Sequence, residues 1–410
     1  MLAVNISENS TYKVPKEYLP PIRDLLDSNQ HLPIHLSQDI LSFDDYTVGE
    51  FRVDDFAIKI IPRNPAYNLS HFFKMLQFID NPELPEIEGI GFENQQSDFG
   101  IQELSRSFCL LLQQLFQFGL TGEYRTSTDV NKFIHGEIDF SEYSPKLIPL
   151  NGISSTNIDY GLDIKANQII KVALLKLTLV ENFADNPEKY QFLRELEFVN
   201  EVDLDESELI DVISCFFSAN PFYKLALEMA KKIIFNMKLE FTDGQVSWLA
   251  FLENSNDIFE KYASKILEVN LTENVKKWDV PHPFAELELD SYSATKSFSP
   301  DIIIDYNEVN QSCRAILDVK NKTFDIKSGS SIGDLVSTSD LYQMLFYCRK
   351  LKTKFGGLVY PSNKRINPVK VNFQFDDLNL HLISIDMSLK MQSRHIEFIK
   401  DVKQSIFFST

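Results

Sequence analysis

The segment from Ser299 to Lys322 reads SPDIIIDYN, a short turn, then CRAILDVKNK. Its two carboxylates and lysine are spaced as a metal-assisted phosphodiester cut would need. Asp301 stands at the mouth of one expected strand, and Asp318-Val319-Lys320 lies on the next. Side chains alternate along a strand, so Asp318 and Lys320 project together while Val319 points away. Lys322 joins that face if the strand continues. Behind Asp301, Ile302-Ile303-Ile304 is apolar on both faces, as in a buried strand. Charges at the end of such a strand are costly unless paired or metal-bound. Mg²⁺, with Mn²⁺ as the expected substitute, takes hard oxygen ligands. Asp301, Asp318 and the Val319 carbonyl could supply three. Lys320 would then orient or deprotonate the attacking water, or offset charge on the phosphorane.

Two more groups could converge on this hairpin. Glu260 is expected on the helix within WLAFLENSNDIFEKYASKILEVN, where it could hold a metal-bound water or steer the lysine. Gln343 and Tyr347 stand four apart in SDLYQMLFYCRKL, hence on one helix face, with Ser339 as N-cap and Asp340 in the first turn. Taken singly, each has a plainer reading. A D-x-K triplet arises by chance, Asp301 fits a turn, Glu260 fits a solvated face, and Gln343 and Tyr347 are ordinary helix residues. The joint order carries the argument: helix with Glu, strand with Pro-Asp, hairpin, Asp-x-Lys, then a helix with Gln-x-x-x-Tyr.

The elements that must position these groups form a mixed α+β chain. Residues 1–95 read as a small β-rich domain, in which FRVDDFAIKIIPRNP gives two alternating strands around an Asp-Asp turn. NPELPEIEGIGFENQ reads as a linker. Residues 96–244 read as a largely helical middle region. DFGIQELSRSFCLLLQQLFQFGL, QIIKVALLKLTLVENF, SELIDVISCFFS and NPFYKLALEMAKKIIFNM show helical apolar spacing, and EYRTSTDVNKFIHGEIDF is extended. Residues 245–410 read as an α/β domain in the order helix, three strands (AELELD and the hairpin), helix, strand. That last strand is GGLVYPS, closed by Pro361, and VKVNFQFDD and LHLISIDMS supply later strands.

Composition narrows the function classes. No run approaches the roughly 18 apolar residues of a membrane helix, and MLAVNISENS has no secretory pattern. A cytoplasmic protein with no membrane partner is expected. Cys109, Cys215, Cys313 and Cys348 form no C-x-x-C pair and read as small buried thiols. No G-x-x-x-x-G-K-[ST] is present, so the chain should bind no nucleotide through a P-loop. The net charge of −19 opposes nucleic-acid binding, but it is unevenly placed. Asp301 to Thr410 holds 15 basic and 12 acidic residues, a balance of +3, whereas the first 300 residues hold 25 and 47, a balance of −22. The carboxy-terminal module can tolerate DNA, and the acidic part more naturally faces a protein.

Pro300-Asp301, LDVKNK and DLYQMLFYCRKL followed by GGLVYP resemble the PD-(D/E)xK nuclease domain of the McrC family, the nuclease subunit of McrBC restriction systems, or of its LlaJI-type relatives. TVGEFRVDDFAIKIIPR, HGEIDF and NDIFEKY are similar to further segments of that family. The resemblance implies a restriction-endonuclease-like fold for the last domain. It implies Asp301 and Asp318 as metal ligands, Lys320 as the catalytic lysine and Gln343 as a supporting residue. It further implies that the upstream half engages a hexameric McrB-like AAA+ GTPase, that this partner brings double-stranded DNA, and that this chain stimulates its GTP hydrolysis. Arg106 and Arg125 are candidates for that stimulation. Another function class stays open: an assembly and GTPase-activating subunit whose nuclease module is vestigial or regulatory.

Overall fold

The computed structural model describes residues 2–64, 66, 69–80, 82, 101–131, 136–138, 152–180, 187–203, 205–242, 245–278, 282–289, 292–322, 324, 336–374 and 376–407. The expected linker, apart from Pro82, and much of HGEIDF lie outside these residues. Helices and sheets are mixed throughout, as the sequence suggests. The chain divides into two compact units, Met1–Glu103 with Glu240–Thr410, and Leu104–Leu239.

The first unit joins the two ends of the chain. Its five-stranded sheet runs in the order Leu2–Ser7, Phe56–Ile61, Thr47–Val53, Gln245–Asn254, Met237–Thr242. The expected Asp-Asp hairpin is present, with Asp54 at φ +50 in its turn and Val53 opposite Phe56. Its strands are buried on nearly every residue rather than on alternate ones. The neighbouring strand 245–254 pairs antiparallel with the other edge of 47–53, which makes 47–53 an interior strand, and it buries Leu249, Ala250 and Phe251. Gly49 permits that approach: it sits at φ +137, and a Cβ there would collide with the Phe251 carbonyl oxygen. The segment placed at the head of the last domain thus belongs to the amino-terminal sheet. This differs from the three-part reading, because strand pairing depends on free edges and not on chain order.

A six-stranded sheet carries the hairpin. Its order is Val275–Lys277, Ile302–Ile304, Ala315–Val319, Phe355–Ser362, Asn379–Asp386, Val369–Asn372. Ile302 lies opposite Leu317 in the antiparallel pair, while Asp318 runs parallel to Leu358. Residues 302–304 and 315–319 are buried throughout, as strands inside a covered sheet must be. The helix Thr338–Lys350 makes the crossover to the parallel strand and packs Met344, Tyr347 and Cys348 with Ile303, Ile316, Leu358 and Leu380 in one core. AELELD lies outside this sheet: it is part of a separate two-stranded hairpin, His282–Leu289 with Tyr292–Phe298. The strand 355–362 also runs through Pro361. Beyond Val359 it pairs only with 379–386, so the missing N–H costs no ladder bond on the other side. Ser337, not Ser339, caps the helix, its side chain accepting the Asp340 N–H.

The second unit contains the expected helices Ile101–Phe118 (from Leu104), Lys165–Val180, Glu206–Cys215 and Phe222–Lys231, and also Glu188–Glu195. The first ends before Gly119 at φ +100, a left-handed stop. It also holds a three-stranded sheet, Glu123–Asn131, Ile153–Gly161 and Glu137–Ile138. Of the cysteines, Cys109 and Cys348 are buried, Cys313 is half-buried and Cys215 is exposed at its helix end. Among the described residues, no helix is long and apolar enough to cross a membrane.

Candidate active site

The hairpin brings Asp301, Asp318 and Lys320 together. Asp301 precedes its strand, and its Oδ2 accepts the Val319 N–H at 2.6 Å. That bond ties the mouth of one strand to the end of the next and sets Asp301 beside Asp318. Asp318 is 1% exposed at the last turn of the pleat before Lys320. Lys320 lies just past the strand, and its own N–H extends the ladder to the Val359 carbonyl at 2.8 Å.

The Lys320 ammonium is 2.5 Å from Asp318 Oδ2, yet that oxygen receives no well-aligned hydrogen bond. The contact is close, and it pairs the buried carboxylate with the ammonium. Lys320 Nζ also donates to Gln343 Oε1 at 3.1 Å. Gln343 Nε2 donates to the Tyr347 hydroxyl at 2.7 Å, and that hydroxyl donates weakly to the Ser299 carbonyl at 3.4 Å. A polar chain thus runs from Lys320 through the helix back to the residues preceding Asp301. The helical i, i+4 spacing of Gln343 and Tyr347 makes this possible.

Glu260 lies on the helix Ser255–Asn270, half-buried, with Asn256 Nδ2 donating to its Oε1 at 2.5 Å. Its charge reaches the hairpin. Burial pushes the Asp301 carboxyl up to about 8, and the negative charges of Asp318 and Glu260 push in the same direction. Burial likewise raises Asp318 against the opposing pull of Lys320. Burial also raises Glu260, with Asp318 among the smaller contributors. Burial alone would lower Lys320, but the charges of Asp318, Asp301 and Asp340 more than reverse it, so the amine is held as an ammonium.

Two groups were missed in the sequence. Asp340, 6% exposed, lies one turn before Gln343, pairs with Lys322 Nζ at 2.9 Å and contributes to the field on Asp318 and Lys320. Its i, i+3 relation to Gln343 was a usable signal. Tyr360 is 1% exposed and stacks on Phe324; burial pushes its hydroxyl up, the nearby charges of Asp340 and Asp318 add to that, and among the described residues the hydroxyl has no hydrogen-bond partner. Its location in an apolar strand gave no hint. The strand ends before Lys322, but that side chain still reaches the helix. In the other unit, Arg106 is exposed. Arg125 is half-exposed and paired with Glu123 at 2.6 Å and Asp163 at 3.3 Å.

Asp301 and Asp318 offer oxygen donors of the kind a hard divalent cation takes. Beyond burial, the charges of Asp318 and Glu260 push Asp301 up, and that of Asp318 adds to the rise of Glu260. Among the described residues no three Asp, Glu, His or Cys side chains already close into a metal cage. Here Lys320 is the counter-charge for Asp318.

The chain is similar to known proteins. A family model described as McrBC 5-methylcytosine restriction system component matches residues 44–361. The fold is similar to a chain of the refined half-complex from the tetradecameric assembly of Thermococcus gammatolerans McrB AAA+ hexamers with bound McrC. That likeness has a TM-score of 0.66 and 16% identity, over 98% of this chain and 99% of that one. A chain of the Thermococcus gammatolerans McrBC complex matches with a TM-score of 0.50 and 16% identity, over 67% of this chain and 89% of that one. No curated protein matches the chain.

Proposed function

Because the chain belongs to the McrBC 5-methylcytosine restriction system component family, we propose that it is the DNA-cutting subunit of a GTP-driven restriction complex. In this reading residues 301–386 form the core of a PD-(D/E)xK nuclease module that hydrolyses phosphodiesters. The partner is an McrB-like AAA+ hexamer, in line with the assembly named for the structural match. The 104–239 unit is its docking region. The observation that carries the nuclease reading is the pairing of the buried Asp318 with Lys320 at 2.5 Å and Asp301 alongside.

Asp301, Asp318 and the Val319 carbonyl would hold Mg²⁺ or Mn²⁺, which when bound supplies a Lewis acid and lowers the pKa of water. This chain's own groups then do the positioning. Lys320, kept charged by its neighbours, offsets negative charge on the phosphoryl oxygens; as an ammonium it is a poor base. Gln343 fixes the lysine's direction, and Tyr347 fixes Gln343. Glu260 steers water or the lysine from the helix Ser255–Asn270. DNA is delivered by the partner, since the first 300 residues carry a charge balance of −22.

The test is Asp318→Ala, or Lys320→Ala, in the complex reconstituted with the GTPase, GTP and methylated DNA. Cleavage should vanish while GTPase stimulation persists. Cleavage at the wild-type rate with normal assembly would overturn the site. GTPase stimulation by the wild-type chain with no DNA cut in Mg²⁺ or Mn²⁺ would favour a purely activating subunit.

A further inference from the structure

The amino-terminal strand reaches the cutting site through a buried hydrogen-bond chain. Glu8, at the end of Leu2–Ser7, is 4% exposed. Its Oε2 accepts the Arg63 N–H at 2.9 Å, and its Oε1 accepts the Ser255 hydroxyl at 2.8 Å. Ser255 is wholly buried, and its Oγ accepts Asn321 Nδ2 at 2.9 Å. The Ser255 N–H is in turn held by the Tyr46 carbonyl at 2.9 Å. Ser255 opens the helix that carries Glu260, and Asn321 directly follows Lys320.

Resting on the nuclease reading above, we propose that Glu8, Ser255 and Asn321 are positioning residues of the cutting site, so that the amino-terminal sheet is part of its scaffold. The directions of donation are consistent along the chain. A carboxylate accepts only, so Glu8 takes the one proton of the Ser255 hydroxyl and turns its lone pairs toward Asn321. A buried bond to a charged acceptor is strong and well aimed. Fixing Asn321 fixes the backbone that launches Lys320, and fixing Ser255 fixes the first turn beneath Glu260. Lys320 and Glu260 are therefore registered by one carboxylate about 250 residues upstream of Ser255.

The experiment compares Glu8→Gln, Ser255→Ala and Asn321→Ala with Lys320→Ala in the complete complex with GTP, Mg²⁺ and methylated DNA. Gln can accept only one of the two bonds Glu8 accepts, and Asn321→Ala alters a half-buried loop residue outside the apolar core. The expected result is a kcat for cleavage lower by roughly ten- to a hundredfold. KM for DNA and GTPase stimulation should stay within about twofold, and the Glu8→Gln/Asn321→Ala pair should be no worse than the stronger single variant. If Lys320→Ala abolishes cleavage while Asn321→Ala and Glu8→Gln cut at the wild-type rate, the positioning role is overturned. So is it if their kcat falls only together with GTPase stimulation. If Lys320→Ala itself cuts normally, the underlying site assignment fails instead.

Discussion

Asp301 accepts the Val319 N–H at 2.6 Å, so a carboxylate before one strand is bonded to the backbone that ends its neighbour. The carboxyl is buried beside Asp318, and burial together with the charges of Asp318 and Glu260 pushes it up to about 8, while the Val319 N–H pulls the other way. Burial and the neighbouring charge, not the backbone bond, make the site unstable when both carboxyls are ionised.

The first prediction concerns that instability. An Asp in the unfolded chain titrates near 3.9, whereas folded Asp301 holds its proton to about 8. The folded state therefore binds more protons across this window, and its stability falls as pH rises from about 4 to about 8. The metal-free protein should lose several degrees of Tm over that range, Asp301→Asn should flatten the loss, and Mg²⁺ should restore stability at pH 8. Melting curves in chelator from pH 5 to 9 check this. A pH profile shared by wild type and Asp301→Asn would contradict it.

A second prediction ranks the supporting groups. Lys320 is held by Gln343, and Gln343 by the Tyr347 hydroxyl. Loss of cleavage should follow the order Lys320→Ala, Gln343→Ala, Tyr347→Phe, with the middle variant down by about tenfold, near the effect of one misdirected hydrogen bond to a charged group. Single-turnover cleavage by the complex measures it. Tyr347→Phe as severe as Lys320→Ala would break the chain of dependence.

In the other unit, Asp163 gathers hydrogen bonds from Gln168 at 2.7 Å and from Asn200 at 2.8 and 2.6 Å. Gln168, the Asn200 backbone and side chain, and Arg125 hold its carboxyl down to about 2. Its folded value is depressed, so its contribution is complete above the unfolded value near 3.9 and is lost as pH falls toward 2. Asp163→Asn should lower Tm by a few degrees at pH 7 and by much less at pH 3. Equal losses at both pH values would mean packing rather than charge is responsible.

The fourth prediction tests the carboxy-terminal helix Met391–Val402. Asp401 is 1% exposed and takes both Arg365 nitrogens, one at 2.6 Å. Arg365→Ala strands that carboxylate and should cost about 3 kcal/mol. Adding Asp401→Ala should return part of it. Urea denaturation of the single and double variants gives the coupling, and strict additivity would show that the pair is not energetically linked.

Much of the site was legible because its signals are local. The i, i+2 alternation put Asp318 and Lys320 on one face, the helical i, i+4 step put Gln343 against Tyr347, and the apolar triplet marked 302–304 as buried. The Asp-Asp turn and the stop at Gly119 were equally short-range. Pro361 and Ser339 were misjudged because a proline's cost depends on which strand lies alongside, and a cap depends on where the helix begins.

The amino-acid sequence by itself determined which residues are candidates for the site, the order of their elements and the separation of acidic from basic regions, since these follow from residue type and near spacing. Only the tertiary structure decided that Asp340 and Tyr360 face the same site, that strand 245–254 completes the amino-terminal sheet, and that Glu8 reaches Ser255 and Asn321. Those relationships join free strand edges and buried polar atoms far apart along the chain. Nothing in a residue's neighbours records which distant partner will satisfy it.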